Sequence, residues 1–193
     1  MDEKATLLRY LQVHRDALLW KLEGLSEREA RMPRTPTGTS LLGIVKHVAS
    51  TEAEYLGLCF DRPWPEPMPW MDDEAEPNAD MWAAADEPMA EVVDRYLRVQ
   101  AHAEATVAAL DLGAVGRVPW WGEQGEAVTL HRVLVHLVAE VARHAGHMDV
   151  LREGVDGAAG MRRDVSNLPG EDAVWWAEHV ARLRAIAEAA PAD

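Results

Sequence analysis

The residues best suited to chemistry lie in one stretch, Thr129 to Glu153, TLHRVLVHLVAEVARHAGHMDVLRE. At about 100° per residue, His136, Glu140, His144 and His147 fall on one stripe of a helix, interleaved with Val133, Leu137, Met148 and Leu151, so the stripe is expected to face an apolar interior. Three imidazoles and a carboxylate in such a place each cost on the order of several kcal/mol unless something compensates them, and a metal ion suits those groups best. Glu140 and His144 are four residues apart and His144 and His147 three apart, so either pair can reach one ion from a single helical face. A further ligand must then come from another helix. His47 is the candidate, between Ile44 and Val48 on the apolar side of its own helical pattern, with Thr51 and Glu54 near it in angle. The plainer alternative is a set of unrelated buried or boundary histidines. Cys59 is the only cysteine, which excludes an intrachain disulfide and a cysteine-based zinc site.

These side chains need helices to carry them. Residues 4–23 place Leu7, Leu8, Leu11, Ala17 and Leu18 on one face, with His14 beside them, and the pattern ends near Gly24. Residues 31–40, with two prolines and a glycine, form a loop. Ser40 or Thr39 caps a second helix over 39–58, and Cys59 lies near its end, where the helix dipole disfavours a thiolate. The proline-rich, acidic stretch 61–80 is either a cover for the site carrying Trp64 or Trp70, or a mobile connector. Asp86, Glu87 and Pro88 read as the start of a third helix over 88–110. A glycine-rich loop with Trp120 and Trp121, either walling a pocket or anchoring the loop, precedes Thr129, which caps a fourth helix over 128–153. After another glycine-rich loop, residues 171–189 form a last helix with Trp176, Val180, Leu183 and Ile186 on one face. No segment shows strand alternation. The expected architecture is all-α, a four-helix bundle with an additional C-terminal helix, forming one domain over residues 1–193.

Composition narrows the function. Nineteen Lys plus Arg against 33 Asp plus Glu give a net charge of −14, which repels a phosphate backbone, so nucleic acid is not an expected partner. No apolar run reaches the roughly 18 residues of a membrane span, and the acidic N-terminus lacks the basic start of a secretory signal. A cytoplasmic protein with a small-molecule substrate and no membrane partner is expected.

The segments TSLLGIVKHVASTEAEYLG and VTLHRVLVHLVAEVARHAGHMDVLREGVDG together resemble the DinB-like superfamily, particularly its actinobacterial branch. The resemblance implies a four-helix bundle with a divalent metal near one end. It places one ligand on the second helix, here His47, and two on the fourth, here Glu140 and His144. Many relatives have His at the position of Glu140, whereas the mycothiol-dependent maleylpyruvate isomerases have Glu there and are more similar. His147 stands where Gln is common, which leaves it as a fourth ligand, a group supporting the ligands or a catalytic base, and the choice among Glu140, His144 and His147 stays open at this point. His136 has no role by resemblance and reads as a helix-packing residue. The resemblance also allows a homodimer.

The ligand set suits Zn(II) best, with Ni(II), Fe(II) or Mn(II) as alternatives. Relatives of this kind, including bacillithiol S-transferases, use the metal to acidify a low-molecular-weight thiol such as mycothiol. The expected function is therefore S-transfer to, or isomerisation of, a small electrophile, with His147 moving a proton. The alternatives are a hydrolase using metal-bound water with Glu54 or His147 as base, and a metal-binding stress-response protein without turnover.

Overall fold

The chain punctuates its α-helices with side-chain caps at five of their starts. In the computed structural model, which describes residues 2–191, Asp2 accepts from the Ala5 amide to start α1 (Glu3–Trp20). Ser26 and Glu29 form a reciprocal capping box on the short α2 (Glu27–Arg31), and Ser40 accepts from the Gly43 amide at the head of α3 (Leu41–Tyr55). Thr129 caps α5 (Leu130–Asp156), and Asp172 caps α6 (Ala173–Glu188). The remaining long helix, α4 (Met89–Ala109), begins after Pro88 with no side-chain cap of its own. Its first amide instead donates to Glu27 Oε1 at 2.7 Å, so α2 supplies the cap that the local sequence led us to expect from Asp86.

The four long helices fall where the apolar periodicity puts them. The second ends at Tyr55 rather than 58 because a 3-10 turn, Leu58–Phe60, takes over, and α5 runs on to Asp156, where Gly157 at φ 77° ends it in the left-handed conformation. α1 packs on α5, and α3 packs on both α4 and α5. Leu11 and Leu18, Ile44 and Val48, Tyr96 and Val107, and Leu134, Leu137 and Met148 meet in the interior. Arg152 of α5 donates to the carbonyls of Lys21 (2.7 Å) and Glu23 (3.0 Å), satisfying acceptors that the end of α1 leaves open.

Polar groups also tie the bundle internally. Arg15 on α1 donates through Nε to Glu52 Oε2 on α3 at 3.0 Å, and the Tyr96 hydroxyl of α4 donates to Glu52 Oε1 at 2.9 Å, all three side chains being buried. The pairing with Glu52 outweighs burial and holds the Arg15 guanidinium above its ordinary pKa, while burial and the Glu52 charge push the Tyr96 phenol well above its own.

Two features depart from the expected fold. Val115–Gly116 and Val128–Thr129 form a two-residue antiparallel ladder that closes the loop before α5. And α6, although amphipathic, fully buries none of its residues: of the expected face Trp176 is half-buried, while Val180, Leu183 and Ile186 are exposed.

Candidate metal centre

α3 and α5 lie side by side, and the contact brings together three of the residues selected above. His47, Glu140 and His144 each offer a ligand atom within 4.8 Å of the other two. His144 Nε2 lies 3.0 Å and His47 Nε2 3.9 Å from the same oxygen, Glu140 Oε1, and the two imidazole ring centroids are 4.7 Å apart. Burial, with the His47 imidazole adding to it, holds His144 below the ordinary histidine pKa despite the pull of Glu140, so its ring favours the neutral, ligating form. His144 Nδ1 is buried with no hydrogen-bond partner among the described residues.

His47 is oriented from behind. Its Nδ1 is 2.5 Å from Oδ2 of Asp80, and that hydrogen bond holds the Asp80 carboxyl below the usual carboxylate range. Asp80 belongs to a 3-10 turn, Ala79–Met81, inside the proline-rich connector. Glu54 is half-buried near the same pair; burial, then the Asp80 charge, raises its pKa, with His47 opposing.

The connector thus does reach the site, but through Asp80 and not through a tryptophan. Trp70 Nε1 donates to Ser50 Oγ at 2.8 Å and its ring lies under Lys46, while Trp64 packs edge-on against His102. Trp120 and Trp121 both donate to the Tyr55 hydroxyl at 2.9 Å, which anchors their loop to the end of α3. Trp121 also walls a cleft of about 550 Å³ with Gln124, Arg132, Val135 and His136. His136 packs its ring against Tyr55 and Trp121, one helical turn before Glu140, and is not among the converging ligands.

His147 corrects the idea of a stripe facing wholly inward. It is exposed, because the stripe runs from the α3 interface out to solvent at that turn. Its ring is 5.8 Å from that of His144, and it lines a second cleft, about 390 Å³, with Thr35, Thr37, Thr39, Val150 and Leu151. His14, half-buried on α1, lies outside the converging set and has its pKa lowered by burial.

The family profile of the mycothiol-S-transferases matches residues 6–157, which spans α1 to α5 and includes every residue of the triad. The chain belongs to the mycothiol-S-transferase family. This is a DinB-like family, in agreement with the resemblance read from the two segments around His47 and His144. A crystal structure of a conserved protein from Enterococcus faecalis matches this mycothiol-S-transferase family member with a TM-score of 0.61 at 16% identity, covering 81% of this chain and 99% of that chain. That likeness shows the bundle fold. No curated protein matches the chain. No helix among the described residues is long and apolar enough to cross a membrane.

Asp80 is the residue at this centre that sequence reasoning missed. Asp80 carries no periodic signal, being one of several acidic residues in an irregular connector, and only the path of the folded chain singles it out.

Proposed function

We propose that this protein is a divalent-metal-dependent enzyme that uses a mycothiol-like thiol to attack or isomerise a small electrophile, with His47, Glu140 and His144 as the metal ligands. The observation that carries this reading is the convergence of three donors from α3 and α5 in a member of a family of mycothiol-related thiol transferases. The donor set fits the ion. At the roughly 2.0–2.2 Å ligand distances of tetrahedral zinc, neighbouring donors stand about 3.3–3.6 Å apart, and the separations of 3.0 and 3.9 Å bracket that edge. Glu140 has the two imidazoles as its ion-pair partners among the described residues, so the half-buried cluster favours a cation.

When bound, the ion supplies a Lewis-acidic position that favours thiolate over thiol at neutral pH. The protein's own groups do the rest. His147, one turn beyond His144 and open to solvent, accepts the thiol proton on its ring and passes it to water. The sulfur electron pair then forms the new bond to carbon, and the leaving group or the displaced electron pair departs. The clefts of about 550 and 390 Å³ flank the ligand-bearing turns of α5, at His136 and at His147, and both are of the size that takes small molecules. Of the candidate metals, Zn(II) suits the set best, with Ni(II), Fe(II) and Mn(II) as alternatives.

The test combines metal analysis of the purified protein with consumption of mycothiol in the presence of a haloaromatic or epoxide electrophile. His144→Ala should abolish both metal binding and turnover. His147→Ala should leave the metal in place and slow turnover by about 10²- to 10⁴-fold, as expected for loss of a proton shuttle. Thiol-independent hydrolysis of an ester or amide would instead establish the hydrolase reading, and no turnover of any electrophile with metal bound would establish a binding protein.

A further inference from the structure

We infer that Asp80 is a positioning residue for the metal centre, and that Gly43 is a glycine so that the turn carrying Asp80 can reach His47. The inference rests on the metal reading proposed above. An imidazole presents a bare nitrogen to a metal only if its other nitrogen carries the proton, and the hydrogen bond made by that other nitrogen decides which is which. Asp80 Oδ2 at 2.5 Å from His47 Nδ1 accepts from an Nδ1–H, leaving Nε2 bare on the side of Glu140. The same bond fixes the ring's rotation, which His47 on its own helix does not determine.

Packing helps bring Asp80 there. Gly43 lies one turn before His47 on α3, and a Cβ on it would stand 1.8 Å from the Met81 carbonyl oxygen and 2.7 Å from the Met81 carbonyl carbon. The turn therefore lies directly on the helix backbone, an approach open to no other residue type at that position. On its far side, Lys46 Nζ donates to the Trp82 carbonyl at 3.0 Å, and on its near side Ala79 is buried. Asn78 enters the turn in the left-handed conformation at φ 70°, which asparagine tolerates well. With Ala79, Met81 and Trp82 each held, the backbone of Asp80 stays beside the imidazole. The long connector is thereby coupled to the metal centre through a single hydrogen bond.

The experiment titrates the metal-free full-length protein with Zn(II) against a chromophoric chelator and records the nitrogen-15 shifts of the histidine rings by NMR. Asp80→Ala should weaken zinc affinity by about 10- to 100-fold, the usual effect of removing a hydrogen-bonding partner behind a metal-bound histidine, and His47 should lose its Nδ1–H signature. Asp80→Asn, which keeps an oxygen acceptor without the charge, should fall between Asp80→Ala and the wild type. Gly43→Ala should shift His47 in the same direction as Asp80→Ala, by lifting the turn. The far-ultraviolet circular dichroism of metal-free Asp80→Ala should match that of the wild type. Wild-type affinity in Asp80→Ala overturns the inference, as does a loss of affinity with the His47 Nδ1–H signature retained, since that loss belongs to general structure. A wild-type protein that binds no zinc, nickel, iron or manganese removes the metal reading itself, and this inference with it; binding by the wild type with no effect of Asp80→Ala removes this inference alone.

Discussion

His144 shows how one burial does two jobs at the scale of a residue. Removal from water keeps the ring neutral, and a neutral ring is both a metal ligand and a group that resists protonation in the folded state. His14 and His136 are lowered for the same first reason. The sign follows directly: below the ordinary histidine pKa of about 6.5 the unfolded chain binds protons at these positions and the native chain does not, so stability present above that pH is lost as pH falls through it. Glu54, raised by burial, works in the opposite direction, one group against three. The Tm of the metal-free protein should therefore fall between pH 7 and pH 5, and thermal melts showing a rise across that window would contradict the assignment. Cys59 gives a second prediction. Burial, with the Glu54 charge adding to it, pushes its thiol up to about 12, and it sits in a 3-10 turn beyond α3 and not at a helix terminus. Burial thus disfavours the thiolate. In the folded protein it should stay unlabelled by iodoacetamide at pH 8, whereas rapid alkylation under native conditions would show the thiol to be accessible.

Among the elements, α3 carries the most obligations. One face presents His47 to α5, the next supports the Asp80 turn at Gly43, and Glu52 faces Arg15 and Tyr96 on the opposite side. A buried ion pair is held at a high desolvation cost, so it matters most when one partner is lost. Glu52→Ala should destabilise the protein by about 3–5 kcal/mol, since Arg15 then keeps a buried charge without its main counter-charge. Tyr96→Phe should cost about 1–3 kcal/mol, because it removes one donor to a charged acceptor. Urea melts of the two single variants and the double variant check this. Additive losses would show that the two groups do not act through a shared carboxylate.

At the scale of the molecule, the family profile ends at residue 157 and α6 lies beyond it. None of its residues is buried, and a helix of that length in isolation is marginal in water. The bundle does not depend on it. Deleting residues 171–193 keeps the Trp20 Nε1 hydrogen bond to the Met161 carbonyl, at 2.9 Å, and should shift Tm by no more than about 1–2 °C, in keeping with surface changes of roughly 0.5 kcal/mol. A drop of ten degrees in a melting curve would mean that α6 covers apolar surface in solution. Zinc affinity should be unchanged by the same deletion.

The helices and their faces were legible in the sequence because each is a local property: 3.6-residue periodicity marks the apolar side, and Ser40 and Thr129 cap where they stand. His47, Glu140 and His144 were selected from chemical type, spacing and resemblance, and the fold brings them together. Where a residue's role depends on a partner far along the chain, the sequence was silent. Glu27 caps α4 across 62 positions, Asp80 meets His47 across 33, and Arg15 finds Glu52 across 37. The same distinction explains His147 and α6, whose apolar-side positions looked equivalent to buried ones. Periodicity states which side of a helix is apolar, but only the packing of neighbours decides whether anything covers it, and none of the described residues buries His147 or Val180, Leu183 and Ile186 of α6.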